Sequence, residues 1–271
     1  MALIRCTFFS EALELGTSIT VLLPQPTEAR IGTHDVDPGG PPPVLYLLHG
    51  LSDDDTMWTR QTSIERYADE RGLAVVMPQV HRSFYTDQAN GLRFWTFLAE
   101  ELPQIVARFF VVSQRREDTF VAGLSMGGYG ALRWALRQPE RFAAAASLSG
   151  ALDVPALREG GAHDELFRLV HGDRVITGTD ADLFHLLDTA DAATLPPLYV
   201  CCGTEDELID DSRRFVARAT ERGAQVTSDF GPGSTSGRTG TRRSRTSWPG
   251  CPCGHDRTAL MTARCMTTRP S

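Results

Sequence analysis

A serine flanked by glycines stands near the middle of the chain, in the stretch Gly-Leu-Ser-Met-Gly at residues 123–127. A serine hydroxyl becomes a nucleophile when a neighbouring base removes its proton. Such a serine is commonly held on a sharp, strained turn between a strand and a helix. Glycines suit both flanks because a Cβ there would collide with the neighbouring strand or helix. The spacing therefore indicates covalent catalysis by Ser125.

The residues around Ser125 predict the elements that such a turn needs. Residues 119–122 form a short apolar run typical of a strand, and apolar residues at helical spacing follow the serine as far as Pro139. Residues 143–148 predict a second strand. The helix N-terminus would direct its unpaired N–H groups at the reacting centre. A glycine-rich turn that serves packing alone is the alternative interpretation.

The amino-acid composition limits the classes of protein to which this chain can belong. The chain has 271 residues, of which 41% are apolar, enough for one sizeable α/β domain. Its net charge of −7 argues against nucleic acid or an anionic membrane as a partner. No apolar run reaches the length of a membrane span, and the first residues lack a signal peptide's apolar core, so we expect a cytoplasmic location. The six cysteines fit no disulfide framework and are expected to be reduced.

Apolar runs and turn residues predict the remaining elements. An antiparallel pair of edge strands is expected at residues 4–9 and 18–23, and buried strands at residues 44–48, 73–77, 198–202 and 225–230. Helices are expected at residues 56–71 and at 96–110, the second with a bend or a new start at Pro103. A third helix is expected to begin at Asp210 and Asp211, which would cap it, and to run to Arg222. Residues 1–233 are predicted to form one domain, with a cap-like insertion at about 151–195 that partly covers the pocket.

Five motifs together resemble the esterase D branch of α/β-hydrolases, which includes tributyrin and acetyl esterases and S-formylglutathione hydrolases. They are LLHGLSDD at residues 47–54, RSFYTD at 82–87, AGLSMGGYGAL at 122–132, FAAAASLSGALD at 142–153 and CCGTED at 201–206. The resemblance spans residues 1–233 almost continuously. It implies an α/β-hydrolase fold, with a mostly parallel central sheet and helices on both faces.

The same resemblance implies hydrolysis of short-chain acyl esters without a cofactor or a metal. Ser125 would attack the ester carbonyl, and the backbone N–H groups of Leu51 and Met126 would hold the oxyanion. Asp206, which follows the strand after the insertion, would orient a histidine that relays the proton. The lesser candidates for this acid are Glu205 and Asp210.

Several other residues near the expected site have both a functional and a purely structural interpretation. Trp58, Arg82 and Tyr85 are predicted to line the substrate pocket, although residues 81–87 would also suit an ordinary polar loop. His49 is expected to be structural, because the triad order in this fold is serine, acid, histidine. The three aspartates at residues 53–55 predict a solvated turn that caps a helix rather than a metal site. His163, His171 and His185 are expected at the surface.

The C-terminal segment departs from the family pattern. After Gly-Pro-Gly the family continues with an acidic residue, His-Glu-Trp and a closing amphipathic helix. Residues 234–271 instead hold seven arginines, one acidic residue and no amphipathic period. The chain lacks lysine, which indicates a GC-rich gene. One G inserted before plausible GC-rich codons for residues 234–241 shifts the frame to Glu-His-Glu-Trp-Ala-Tyr-Trp-Asp. We therefore interpret residues 234–271 as a frameshifted, disordered tail that has lost the histidine.

Cys251, Cys253 and His255 lie in this tail, but Cys-x-Cys-x-His alone is a weak metal motif. The sequence thus predicts a serine carboxylesterase for small acyl esters with a corrupted C-terminus. An S-formylglutathione hydrolase is the alternative within the enzyme class. A non-catalytic hydrolase-like scaffold that binds ligands in the surviving pocket is the alternative from another class. The sequence leaves acyl length and homo-oligomerisation open.

Overall fold

The structure, a computed structural model, describes residues 1–25, 39–161 and 163–233. Within these ranges eight strands form one sheet. They are β1 (Ala2–Ser10), β2 (Leu15–Leu23), β3 (Val44–Leu48), β4 (Ala74–Pro78), β5 (Thr119–Leu124), β6 (Ala144–Leu148), β7 (Leu198–Gly203) and β8 (Val226–Gly231). Their order across the sheet is β1-β2-β4-β3-β5-β6-β7-β8.

The sheet is antiparallel only at one edge. β1 pairs with β2 and β2 with β4 in antiparallel register, whereas every pairing from β4 to β8 is parallel. The prediction of a mostly parallel sheet with an antiparallel edge pair is therefore confirmed. The parallel strands read as continuous apolar runs because both of their faces are covered.

Nine α-helices lie between the strands in the described part of the chain. They are α1 (Met57–Gln61), α2 (Ile64–Asp69), α3 (Phe94–Thr96), α4 (Leu102–Phe109), α5 (Met126–Arg137), α6 (Val154–Glu159), α7 (Asp164–His171), α8 (Leu183–Thr189) and α9 (Ile209–Glu221). No helix in the described part is long and apolar enough to cross a membrane. The predicted insertion at about 151–195 contains α6, α7 and α8, and its separate standing as a cap stays a prediction.

The two faces of the sheet belong to two apolar clusters. Along β3, Tyr46 and Leu48 pack in the cluster that holds residues of α4, α5 and α9. Leu45 and Leu47 pack in the other cluster, with residues of α1 and α2. This alternation along a five-residue strand places helices on both faces, as the fold class requires.

The single helix predicted for residues 56–71 is wrong, because a threonine side chain interrupts it. Thr62 is extended, and its hydroxyl donates to the Trp58 carbonyl at 2.6 Å. The same hydroxyl accepts the Ile64 N–H at 3.2 Å. One side chain thus ends α1 and supports the start of α2, a competition between side chain and backbone that is typical of threonine.

The helix predicted around residues 96–110 forms, and it runs on through its proline. α3 continues into a π-helical turn, Phe97–Glu101, and Pro103 lies in the first turn of α4. The three segments follow one another without a break, so Pro103 is accommodated inside a continuous helical run, directly after its π-helical turn.

The aspartates at residues 53–55 do not form a simple solvated turn. Asp54 accepts the Thr56 N–H at 2.8 Å, as a turn-forming aspartate does. Asp55 is only 1% exposed, and it accepts the Thr20 hydroxyl at 2.8 Å. This contact joins the loop after β3 to β2, and sequence spacing alone could not reveal it. In residues 1–25, 39–161 and 163–233, no three His, Cys, Asp or Glu side chains are grouped to hold a metal ion.

His171, predicted at the surface, is instead buried at the end of α7 and only 4% exposed. Its ring stacks on Phe167 at 5.9 Å between ring centroids. Burial, together with the nearby cations of Arg133, Arg158 and Arg174, lowers the pKa of His171 from 6.5 to about 4, against the opposing charge of Asp180. His163 is exposed and His185 is half-buried.

This burial predicts a loss of stability in mild acid. Because the pKa of folded His171 lies below its unfolded value, the unfolded chain takes up the proton first. The contribution of His171 is intact above pH 6.5 and is lost as the pH falls towards 4, by about 2–3 kcal/mol. His171→Leu should flatten the dependence of the free energy of unfolding on pH across this window. Urea titrations at half-unit pH steps measure it, and parallel curves for both proteins would contradict the assignment.

Candidate active site

Ser125 lies at the junction of β5 and α5, in a backbone conformation that non-glycine residues rarely adopt. Its φ is 55° and its ψ is −115°. The Ser125 N–H donates to the Leu148 carbonyl at 2.9 Å, and its carbonyl accepts the N–H groups of Tyr129 and Ala151, each at 3.1 Å. These bonds to β6, to α5 and to the loop after β6 hold the strained residue in place. The side chain is half-buried.

The positions two residues to either side of Ser125 must be glycine, because neighbouring backbone atoms leave no room for a Cβ. A Cβ on Gly123 would overlap the carbonyl of Gly127 in α5, and a Cβ on Gly127 would lie 2.7 Å from the His49 carbonyl oxygen. Both contacts are with backbone atoms, which cannot rotate away. The prediction that side chains on the flanks would collide with helix and strand is confirmed.

The two predicted oxyanion donors lie on opposite sides of this junction. Met126 is the first residue of α5, so its N–H has no acceptor within the helix and lies at the positive end of the helix dipole. Leu51 belongs to the loop after β3. In that loop a Cβ on Gly50 would lie 3.8 Å from the Ser125 Cβ, so the loop backbone passes beside the serine. The first turn of α5 and the Gly50 backbone therefore both border Ser125, and the role of Met126 and Leu51 as oxyanion donors stays a prediction.

His49, at the end of β3, has a structural role, as predicted. Its Nε2 accepts the Val80 N–H at 3.2 Å, so the proton of the neutral ring is on Nδ1, which donates to the Gly50 carbonyl at 2.7 Å. Burial lowers the pKa of His49 and keeps the ring neutral. Both nitrogens are therefore committed to the backbone, and His49 is not positioned as a base.

The loop after β4 lies against the serine junction in a strained conformation. His81, Phe84 and Tyr85 all have positive φ, between 49° and 51°. The Phe84 N–H donates to the Met126 sulfur at 3.3 Å, and the Tyr85 hydroxyl donates to the His49 carbonyl at 2.8 Å. Strain of this kind clusters at functional sites, and composition or periodicity gave no signal for it.

The three predicted pocket residues are placed differently from one another. Arg82 is exposed, but Tyr85 is completely buried and Trp58 is 2% exposed within the core. The Tyr85 ring packs over Gly130 of α5, where a Cβ would lie 2.5 Å from its Cδ2. Trp58 and Tyr85 therefore belong to the apolar core, on opposite faces of the sheet, and do not line an open pocket in this structure.

Arg133 of α5 joins three segments around the site, a role that sequence reasoning missed. Its guanidinium donates to the Tyr85 carbonyl and to the Thr86 hydroxyl, each at 2.8 Å. It also donates to the Asp180 carbonyl at 2.8 Å and to the Asp180 carboxylate at 3.2 Å. The same group lies over the Trp95 ring, 4.6 Å from its centroid. Although Arg133 is only 2% exposed, these bonds satisfy its charge.

Asp206 lies beyond the end of β7, two strands from β5, at the same carboxyl edge of the sheet as Ser125. It is 4% exposed, whereas the neighbouring Glu205 is exposed. Its carboxylate accepts the Leu208 N–H at 3.0 Å, and its carbonyl accepts the Ile209 N–H at 3.1 Å.

These bonds correct the predicted helix cap. Leu208 is the N-cap of α9 and no described side chain caps the helix, because the Asp206 carboxylate binds the N–H of Leu208 in the turn before it. Asp210 and Asp211 lie inside the first turn, where their charges interact favourably with the helix dipole. The predicted cap was wrong because five acidic residues lie within the seven positions 205–211, and each of them suits a helix start. Beside Asp206, burial raises the pKa of the Cys202 thiol, which keeps it protonated.

A mostly parallel sheet with a strained serine between a central strand and a helix N-terminus defines an α/β-hydrolase. Solved structures agree. The fluorophosphonate-binding serine hydrolase FphF of Staphylococcus aureus is 35% identical, with a TM-score of 0.77 over 86% of this chain and 91% of that one. The S-formylglutathione hydrolase FrmB of the same organism is 31% identical, with a TM-score of 0.77 over 98% and 97% of the two chains.

The particular family follows from sequence comparison. The profile of the Esterase family matches residues 10–248, and the chain belongs to that family. The acetyl esterase of Caldicellulosiruptor saccharolyticus is 31% identical over 224 residues, which cover 79% of this chain and 84% of the relative. The protein is therefore a serine hydrolase that acts on esters.

Substitution of a glycine beside Ser125 tests the packing of the junction. Gly127→Ala should lower the free energy of unfolding by about 2–3 kcal/mol, because the new methyl group collides with backbone carbonyls of β3. Gly16→Ala is the matched control, since a Cβ there meets nothing within 4 Å. Urea denaturation compares the two, and equal midpoints would contradict the close approach of α5 to β3.

Arg133 and Arg137 offer a matched pair of substitutions on one helix. Arg133→Met should cost about 3 kcal/mol of stability, because it leaves buried acceptors such as the Tyr85 carbonyl unpaired. Arg137 also contacts Asp180, at 2.7 Å, and stacks on Trp95, but it is more exposed. Arg137→Met should cost less than about 1 kcal/mol. Denaturant titration of both variants measures the two losses in the free energy of unfolding. Equal losses would contradict the role of the Arg133 hydrogen bonds.

Proposed function

We propose that this protein is a carboxylesterase for short-chain acyl esters of the acetyl type, acting through an acyl-enzyme on Ser125. The observation that carries the proposal is the strained serine, fixed by backbone bonds beside the first N–H of α5 and the backbone of the Gly50 loop. Similarity to an acetyl esterase over most of both chains supports the acyl class.

In the proposed mechanism a histidine takes the Ser125 proton as Oγ attacks the ester carbonyl. The carbonyl oxygen becomes an oxyanion that accepts the N–H groups of Met126 and Leu51. Collapse of this intermediate expels the alcohol, which takes the proton from the histidine. Water, activated by the same histidine, then releases the carboxylic acid. The buried carboxylate of Asp206 would orient the histidine and stabilise its cationic form, and Arg82 would border the substrate from the loop after β4.

The proposed position of the base follows from the end of β8. The Thr204 N–H donates to the Gly231 carbonyl at 2.8 Å, and the Glu205 N–H donates to the Gly233 carbonyl at 3.1 Å. These bonds hold Gly233 against the turn that carries Asp206. The histidine of the restored reading frame would be residue 235, two residues further on. Residues 234–271, including the frameshift and the disorder predicted for them, lie outside the described part of the chain.

The decisive experiment compares three genes in one expression system: the sequence as given, the frame-restored sequence, and the frame-restored sequence with Ser125→Ala. The restored enzyme should exceed the given chain at least about a thousand-fold in kcat/KM for p-nitrophenyl acetate, because the given chain lacks the base. Ser125→Ala should abolish the gain. Equal turnover by the given and restored chains would contradict the placement of the base, and turnover that survives Ser125→Ala would contradict the nucleophile.

A second candidate is S-formylglutathione hydrolysis, which the similarity to FrmB over nearly the whole chain favours. A kcat/KM for S-formylglutathione far above that for p-nitrophenyl acetate would select it. A non-catalytic scaffold predicts a third result, in which a folded, frame-restored protein fails to react with a fluorophosphonate probe at Ser125.

A further inference from the structure

The outer edge of β1 is unusually well suited to pair with another strand. β1 runs for nine residues and pairs with β2 in one unbroken register, from Ala2 opposite Leu23 to Ser10 opposite Leu15. Within the described part of the chain it ends the sheet, with no strand on its outer side. Natural edge strands are normally protected by prolines, bulges, short length or several charges. β1 has no proline and no bulge, and Arg5 is its one charged side chain.

Both faces of this edge also expose apolar surface. On the outer face Leu3 is 56% exposed and Phe9 is 59% exposed. On the inner face Ile4 and Phe8 are half-buried. The Phe8 ring leans on Phe109 at the end of α4, at 6.3 Å between ring centroids, and Phe109 is itself 51% exposed. Among the residues that the structure describes, the edge therefore combines a backbone without a strand partner and apolar side chains on both sides of the sheet.

We propose that β1 pairs with β1 of a second copy of this chain, in antiparallel register about a twofold axis at Cys6. Leu3 of each copy then faces Phe9 of the other, Ile4 faces Phe8, and Arg5 faces Thr7. The two eight-stranded sheets become one continuous sheet. The backbone supplies roughly one interstrand hydrogen bond for each residue pair, and the exposed apolar side chains supply the cross-strand contacts.

The register follows from the faces of the strand. Directly opposed residues in an antiparallel pair point to the same face, so outer residues 3, 5, 7 and 9 must face one another. An axis at Arg5 would oppose two arginines, which is unfavourable. An axis at Thr7 would leave Leu3 beyond the end of the partner strand. The axis at Cys6 pairs all nine residues and keeps the two Arg5 side chains apart.

A second copy fits this edge better than a foreign strand does. An antiparallel pair about a twofold axis needs a strand whose two halves complement each other, and the Leu3–Phe9 and Ile4–Phe8 pairs supply that complementarity. Arg5 would face a neutral hydroxyl, and part of its charge is balanced in its own copy by Asp55 at 3.9 Å. Twofold self-association is the commonest assembly of soluble proteins.

A charge at residue 7 tests the register directly. Thr7 is exposed, and the twofold axis gives the dimer two equivalent pairs in which residue 7 of one copy faces Arg5 of the other. Thr7→Glu should lower the dimer dissociation constant about five-fold, and Thr7→Arg should raise it by a similar factor. Arg5→Glu combined with Thr7→Arg should restore the tighter association. Sedimentation velocity of the full chain between about 0.1 and 50 μM gives the constants, and circular dichroism checks that each variant is folded.

Two results would overturn the proposal: a monomer throughout this concentration range, or a dimer whose dissociation constant does not change with the charge at residue 7.

Oxidation of Cys6 offers a second test of the register. Opposed residues of an antiparallel pair have Cα atoms about 4.5–5.5 Å apart, within the span of a disulfide. Copper-phenanthroline should therefore link the two Cys6 residues into a covalent dimer. The same covalent dimer in a Cys6→Ser variant would contradict the register.

Discussion

The active-site region depends on one close approach, that of the first turn of α5 to the end of β3. Gly127 fits against the carbonyl groups there only because it has no Cβ. This contact sets Ser125 beside the backbone of the Gly50 loop and places the free N–H of Met126 on the other side. A helix one methyl group further from the sheet would separate these backbone groups. The oxyanion donors proposed at Met126 and Leu51 would thus be positioned by backbone packing, which costs no side-chain entropy when substrate binds.

Side-chain hydrogen bonds to carbonyls then hold the surrounding loops in conformations that they would not adopt alone. The positive φ of Phe84 and Tyr85 is offset by bonds that reach from α5 and back to β3. Arg133 supplies the first of these contacts, and the Tyr85 hydroxyl supplies the second. Because both groups are buried, loss of either hydrogen bond would leave an unpaired polar group away from water, which lowers stability. The strained loop and the serine junction therefore form one rigid unit.

Local sequence predicted the strands, the sheet class and the serine turn, because apolar runs and glycine positions act over a few residues. It failed where one particular side-chain contact, local or distant, decides the structure. Thr62 ended a helix through its side chain, and Asp55 was buried by a bond to β2. His171 is buried by packing on Phe167, one turn earlier on the same helix. The placement of Asp206 rested on family resemblance, since a single acidic cluster offers several equivalent carboxylates.

The segment around Asp180 is fastened to α5 by more than one contact. The Tyr129 hydroxyl donates to the Ala181 carbonyl at 2.8 Å, next to the bonds from Arg133. Both donors stand on α5, which begins directly after Ser125. Lifting this segment would break these bonds together and leave the buried guanidinium of Arg133 without its acceptors, which is costly. The helix that follows Ser125 therefore also fixes the position of a loop far along the chain.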